Sequence, residues 1–425
     1  MSAKDAKQRV MDAAGSGGRR AVVTGLGVVA PNGVGTELFW KAVQQGVSVL
    51  GPVTREGCAD LPLKVAGEVR DFDPSRLVEE RFLVQTDRFT HFAMAAAELA
   101  LDEAQLKTDP ESPFAIGVVT AAGSGGGEFG QGELQQLWGR GPQFVGPYQS
   151  IAWFYAASTG QISIRGGFQG PCGVLANDEA GGLDVFGHAR RTIEYGTDAV
   201  VAGATEAPLA PYSVVCQLGY RELSLATEPH RAYLPFTGDA CGYAPAEGGA
   251  MFVIEAEEAA DRRGARVRAV VGGHAATFTG TNGWERSREG LARAIRGALE
   301  EARCAPEDVD VVFADAIGVP EADQAEALAI ADALGPRAAT VPVTAPKTGY
   351  GRAYSAASAL DAAAAVLALE HGVIPPTPNV TEVRHDLDVV TGEARSVPLR
   401  TALVLSRGLM GCNSALVLHG HDGRR

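Results

Sequence analysis

The sequence predicts an α/β protein built from two similar halves, each a sheet covered by helices on both faces. Three observations predict it. Short apolar strands recur in matching places along the chain, they show little polar alternation, and 46% of the 425 residues are hydrophobic against 21% charged. Near-continuous apolar strands belong to sheets buried on both faces. A chain of this length and composition also buries a sizeable core.

Taken in order, residues 1–18 carry charges without an apolar core, which fits a flexible tail and neither a signal peptide nor a membrane anchor. The two halves follow as residues 19–260 and 261–425. Residues 20–30 (RAVVTGLGVVA) read as the first strand, and residues 266–276 (RVRAVVGGHAA) as its counterpart. Residues 94–106 place apolar side chains at helical spacing with charges opposite, a surface helix. Residues 117–121 are the second strand, matched by 311–314. The glycine-rich stretch 123–127 lacks both the Lys-Ser/Thr ending and the GxGxxG spacing of nucleotide loops. Residues 148–168, with Trp153, Phe154 and Tyr155, form an aromatic apolar segment suited to a subunit interface.

Residues 174–193 (VLANDEAGGLDVFGHARRTI) read as a strand, a tight turn and a helix opened by small residues from Ala180. Such an elbow holds one side chain, Glu179, at a helix N-terminus, where N–H donors and partial positive charge concentrate. A carboxylate there can accept those N–H groups. His188, further along that helix, reads as a packing or capping residue. The charged stretch 256–264 joins the halves, residues 291–302 repeat the surface-helix pattern, and 300–309 form a solvated connector. Residues 355–371 match the elbow helix; Asp361 interrupts them, so no apolar run reaches the ~20 residues a bilayer span needs.

Fifty-one acidic residues against 37 basic leave a net charge of −14. That argues against nucleic acid or an anionic membrane as partner, and does not favour an acidic carrier protein docking on this chain itself. Cys58, Cys172, Cys216, Cys241, Cys304 and Cys412 show no CxxC spacing, so they are expected to be reduced, mostly buried thiols of a cytoplasmic protein. Cys172 falls on the strand approaching the elbow. The eight histidines make no i, i+4 pair, and neither a metal nor a cofactor is expected.

Over nearly its whole length, from residues 19–27 (RRAVVTGLG) to 411–415 (GCNSA), the chain resembles the beta-ketoacyl synthase family. Asp178-Glu179-Ala180-Gly181-Gly182-Leu183-Asp184 aligns on the family's nucleophile motif T-A-C-S-S-G-L-D, with Glu179 at the cysteine. Residues 313–326 keep the frame of N-A-H-G-T-G-T-x-x-N-D-x-x-E, retaining Glu326 but placing Asp315 at the histidine. Residues 347–352 keep Lys347 of K-x-x-x-G-H and place Arg352 at the second histidine. A carboxylate cannot form the thioester that condensation requires. All three family catalytic positions are replaced, which indicates a subunit relieved of that chemistry.

The resemblance is strongest to the chain length factor (KS-beta) branch of type II polyketide synthases, although that branch normally has glutamine where Glu179 stands. It implies a thiolase-like fold, a duplicated five-layer αβαβα sandwich. It also implies a heterodimer with a ketosynthase alpha subunit, and an acyl carrier protein that meets the pair mainly through that ketosynthase. A substrate tunnel would run along the interface, and at its end the resemblance places Gly127, Phe129, Gly130 and Leu134, whose two glycines would leave it long. The replaced positions would share one buried pocket, with Arg352 bridging Glu179 or Asp315 and Lys347 meeting Glu326 in a neutral plug, since unpaired buried charges cost several kcal/mol each. Two other readings remain open at this point: a decarboxylating chain-initiation factor, and a purely structural pseudoenzyme that stabilises the ketosynthase.

Overall fold

Strand β1, Ala21–Ala30, is buried along its entire length, and a computed structural model, which describes residues 18–109, 112–280 and 283–421, shows why. Ala21 and Val23, then Leu26, Val28 and Ala30, face the central core, while Val29 faces an outer one. The parity changes because the pairing register slips between Val23 and Gly25. With both faces covered, neither can be polar. The predicted N-terminal tail falls outside the described residues as far as position 17.

The N-terminal half continues with α1 (Arg88–Ala104), β2 (Ile116–Ala121), α2 (Gly127–Arg140), β3 (Cys172–Leu175), α3 (Gly181–Glu194), β4 (Ala199–Glu206) and β5 (Gly248–Ala256). The C-terminal half holds β6 (Ala269–Phe278), α4 (Trp284–Ala302), β7 (Val311–Phe313), α5 (Pro320–Leu334), β8 (Pro342–Thr344), α6 (Tyr354–His371), β9 (Thr401–Arg407) and β10 (Cys412–Gly420). The strand order is β1-β5-β4-β2-β3 in the first half and β6-β10-β9-β7-β8 in the second, the same order counted within each half. The directions match as well: β2 runs parallel to β3 and β4, as β7 does to β8 and β9, and the other neighbours among these ten strands are antiparallel. β1 and β6 meet antiparallel at Val22 with Val270 and Val23 with Ala269.

The sequence pairs are therefore structural equivalents, and the layers are the duplicated αβαβα that the resemblance implies. α1 lies outside the first sheet, α4 and α5 outside the second, and α3 and α6 fill the space between the sheets. Confinement on every side explains the composition of α6, whose residues Ser355–Leu369 are all buried and mostly alanine. A Cβ at Gly182 of α3 would stand 2.2 Å from the Ser355 carbonyl oxygen, so only glycine lets the two helices cross this closely. Helix starts were less legible. α1 begins at Arg88 rather than near residue 94 because Asp87 caps it, accepting the Phe89 N–H. Among the described residues, no helix is long and apolar enough to cross a membrane.

Candidate functional site

Glu179 sits in the 3-10 turn Asp178–Ala180 between β3 and α3 and is 1% exposed. Asp178 turns the chain with φ 62°, a left-handed conformation uncommon outside glycine, and its Oδ2 accepts the Met410 N–H at 2.6 Å. The elbow is as read from the sequence, and Arg352 bridges both Glu179 and Asp315 rather than one of them. The Glu179 carboxylate turns away from the α3 amides toward the other half, where Arg352 Nε and Nη2 reach Oε2 at 2.7 and 2.5 Å. A guanidinium fork matches a buried carboxylate better than dipoles alone.

From there the charges alternate inward. Arg352 Nη1 donates to Asp315 Oδ1 at 2.8 Å and to the Asp315 carbonyl at 2.9 Å, and Nη2 donates to the Arg407 carbonyl at 2.6 Å. Arg407 Nε donates to Asp315 Oδ2 at 3.0 Å and its Nη2 to Glu326 Oε2 at 2.8 Å. Glu326, on α5, also accepts the Asp315 and Ala316 N–H groups at 2.7 and 2.9 Å, which fixes the loop after β7. Every member of this chain is buried.

The expected contact between Lys347 and Glu326 is not made. Arg407 takes Glu326, while Lys347 pairs with Asp361 of α6 and donates to the Asp315 carbonyl at 3.0 Å. A planar guanidinium at the end of β9 reaches two carboxylates at once, which leaves the lysine free for the nearest single acid. Arg407 and Asp361 were thus missed as site residues. Both carried a signal: Arg407 is the one charged residue of the strand run TALVLSR, and Asp361 is the one charged residue in the alanine-rich stretch Ser355–Leu369.

Nor is the plug neutral when every group is ionised, since Glu179, Asp315, Glu326 and Asp361 face only Arg352, Arg407 and Lys347. Burial would raise the Asp315 carboxyl, but the guanidiniums of Arg352 and Arg407 outweigh it and hold Asp315 below the usual carboxylate range. Glu179 goes the other way. Burial, helped by the negative charges of Asp178 and Asp315, outweighs Arg352 and pushes it up to about 7.

A carboxyl whose native pKa is raised stabilises the fold fully below its unfolded pKa, and that contribution is lost as pH rises through the folded value. Unfolding free energy is expected to fall between about pH 5 and 8, by on the order of 2 kcal/mol from Glu179 alone. Glu179→Gln, whose amide oxygen still accepts from Arg352, should flatten that fall; denaturant titrations across the range measure it.

Chemically the chamber offers no thiol. Cys172, the cysteine before the elbow, opens the edge strand β3 and is exposed, and Cys216 and Cys241 are exposed too. Only Cys58 is fully buried, so the expectation of mostly buried thiols fails; these cysteines lie at element ends and in loops rather than in the strands of the core. All six are free. Among the described residues, no group of three His, Cys, Asp or Glu side chains could hold a metal ion.

The residues expected at the tunnel end lie on α2, where Gly127, Gly130 and Leu134 share one face at helical spacing. That face continues to Trp138, which is 83% exposed, and Trp153, Phe154 and Tyr155 are also exposed. A Cβ at Gly130 would meet Trp153 Cβ at 3.7 Å and Gln149 Nε2 at 3.8 Å, ordinary contact distances, so a small side chain fits there. At Gly127 a Cβ would stand 2.4 Å from Ser213 Oγ, with the next atom at 3.8 Å, so that hydroxyl would have to turn aside. Phe129 is half-buried, and Leu134 is 41% exposed.

Residues 18–260 match the family description "Beta-ketoacyl synthase, N-terminal domain" and residues 268–381 match "Beta-ketoacyl synthase, C-terminal domain". A Streptomyces coelicolor protein with the provisional name polyketide beta-ketoacyl synthase 2 is 72% identical over 405 residues, 95% of this chain and 96% of the relative. The tetracenomycin polyketide synthase ketoacyl synthase beta subunit of Streptomyces glaucescens is 50% identical over 404 residues, 94% of this chain and 98% of the relative. Among solved structures, the ishigamide ketosynthase/chain length factor superposes with a TM-score of 0.87 at 29% identity, covering 95% of this chain and all of that one. A type II polyketide synthase acyl-carrier protein in complex with its ketosynthase bound to the hexaketide gives a TM-score of 0.85 at 28% identity, covering 96% of this chain and all of that one.

Proposed function

The chain belongs to the beta-ketoacyl synthase family, and on that premise we propose that it is the non-condensing partner subunit, the chain length factor, of a type II polyketide synthase ketosynthase. One observation carries the reading. The position that would present a nucleophile holds a buried carboxylate locked to Arg352, in a chamber filled by paired charges with no thiol. Condensation must then come from a second subunit, which holds the reactive cysteine and receives the acyl carrier protein. The relatives named as a ketoacyl synthase beta subunit and as a ketosynthase/chain length factor support the same division of labour.

The partner would cover the aromatic face. Leu134, Trp138, Phe144, Tyr148, Trp153 and Phe154 are all exposed on α2 and the segment that packs beside it, a cluster of large apolar side chains of the kind that marks an interaction surface. On this reading the growing polyketide runs along that interface and α2 limits its length. The six unpaired thiols agree with a reducing, cytoplasmic setting.

Expressed alone, the chain is expected to aggregate or form a weak homodimer and to elongate nothing. Co-expressed with a ketosynthase alpha subunit, it should yield a stable heterodimer that, supplied with malonyl-loaded carrier protein, releases polyketide. Light scattering and product mass read the two arms. A well-behaved monomer, or elongation by this chain alone, would count against the reading.

A further inference from the structure

Helix α2 begins at a residue that cannot cap it. Gly126 is its N-cap and supplies no side-chain acceptor. Nothing larger fits there, because a Cβ would stand 2.0 Å from the Ala152 carbonyl oxygen. The cap comes from another element. Asp87, the N-cap of α1, accepts the Phe89 N–H with Oδ1 at 3.1 Å and the Phe129 N–H of α2 with Oδ2 at 2.7 Å. One carboxylate thus closes the first turns of two helices, where unsatisfied N–H groups and the positive end of the helix dipole favour negative charge.

A second carboxylate holds the approach to α2. Glu206, the last residue of β4, accepts the Gly123 N–H with Oε1 at 2.5 Å, and the Ser124 N–H and hydroxyl with Oε2 at 3.1 and 2.5 Å. Asp87 and Glu206 are both buried on core elements. The stretch between them, Gly123-Ser124-Gly125-Gly126-Gly127, has no apolar side chain to anchor it. Its place is therefore set by what its amides bind.

We propose that Asp87 and Glu206 are positioning residues that fix where α2 starts relative to the core, and through it the depth at which Gly130 and Leu134 limit the polyketide. The proposal rests on the reading of α2 as the length-setting helix. Burial pushes both carboxyls up to about 6, the bound amides opposing it. The bound amides favour the ionised form of each, and hydrogen bonds to an ionised carboxylate are the stronger kind.

The test uses the heterodimer with its ketosynthase, carrying Asp87→Ala or Glu206→Ala, with Asp87→Asn and Glu206→Gln as conservative counterparts. Amide hydrogen exchange and product mass are read on the same samples. The alanine variants are expected to speed exchange at residues 123–131 by about tenfold, the size expected of a lost cap, and to spread the product over lengths differing by two-carbon units. Asparagine and glutamine keep one accepting oxygen and should recover part of both effects, which a merely structural loss would not show. Should Asp87→Ala fail to assemble, Glu206→Ala carries the same test. Unchanged exchange overturns the proposal. So does faster exchange with unchanged product lengths while Gly130→Thr shortens them. If Gly130→Thr also leaves product length unchanged, the length-setting reading has failed, and the positioning role falls with it.

Discussion

Arg352→Met is expected to lower the unfolding free energy by about 3–5 kcal/mol, the loss typical when one partner of a buried ion pair is removed. Methionine fills much of the same volume, so the effect comes from charge. Glu179 loses its side-chain donor, Asp315 Oδ1 and the Arg407 carbonyl each lose one, and none of them can reach water. The bridge also joins the two halves, since Glu179 precedes α3 while Asp315, Arg352 and Arg407 belong to the second half. Adding Glu179→Gln to Arg352→Met should restore part of the loss, because an unpaired amide costs less to bury than an unpaired carboxylate. Equilibrium denaturation of the three variants measures both. A single-variant cost under about 1 kcal/mol would mean the ion chain is not what closes the chamber.

Gly130→Thr is expected to shorten the released polyketide by one or more two-carbon units without disturbing assembly. The Cβ fits at ordinary distance from Trp153 and Gln149, so the helix itself does not resist the change, and leaving glycine favours the helix by a few tenths of a kcal/mol. The added hydroxyl and methyl then occupy space at buried Gly130, between α2 and the segment carrying Trp153, and a packed channel does not absorb added volume without strain. Gly127→Phe makes the contrasting case. Its side chain meets Ser213 at once, so it should weaken the packing of α2 against Pro211–Gln217 rather than act on product length. Product mass from a correctly assembled heterodimer decides the first; thermal melting of the complex decides the second.

The repeated strands and the matched helices were legible because each half must bury its sheet on both faces, and that requirement leaves continuous apolar runs whose spacing repeats along the chain. The three replaced catalytic positions were legible as well, since the family frame around Glu179, Asp315 and Arg352 survives. Their pairing was not. Lys347 and Arg407 are both cations near Glu326, and which of them reaches it depends on the direction each backbone presents from the turn Pro346–Gly349 and from the end of β9.

By itself, then, the sequence determined the fold class, the elbow and the absence of a thiol from it, because these follow from local pattern and residue type. Tertiary structure alone decided that Arg407 and Asp361 complete the ion chain, that the Ser213 hydroxyl lies beside Gly127, and that Asp87 caps a helix 42 positions away in the chain. Each of those contacts joins different elements of one half, through a carboxylate, guanidinium or hydroxyl whose partner is chosen by reach and direction once those elements have packed together.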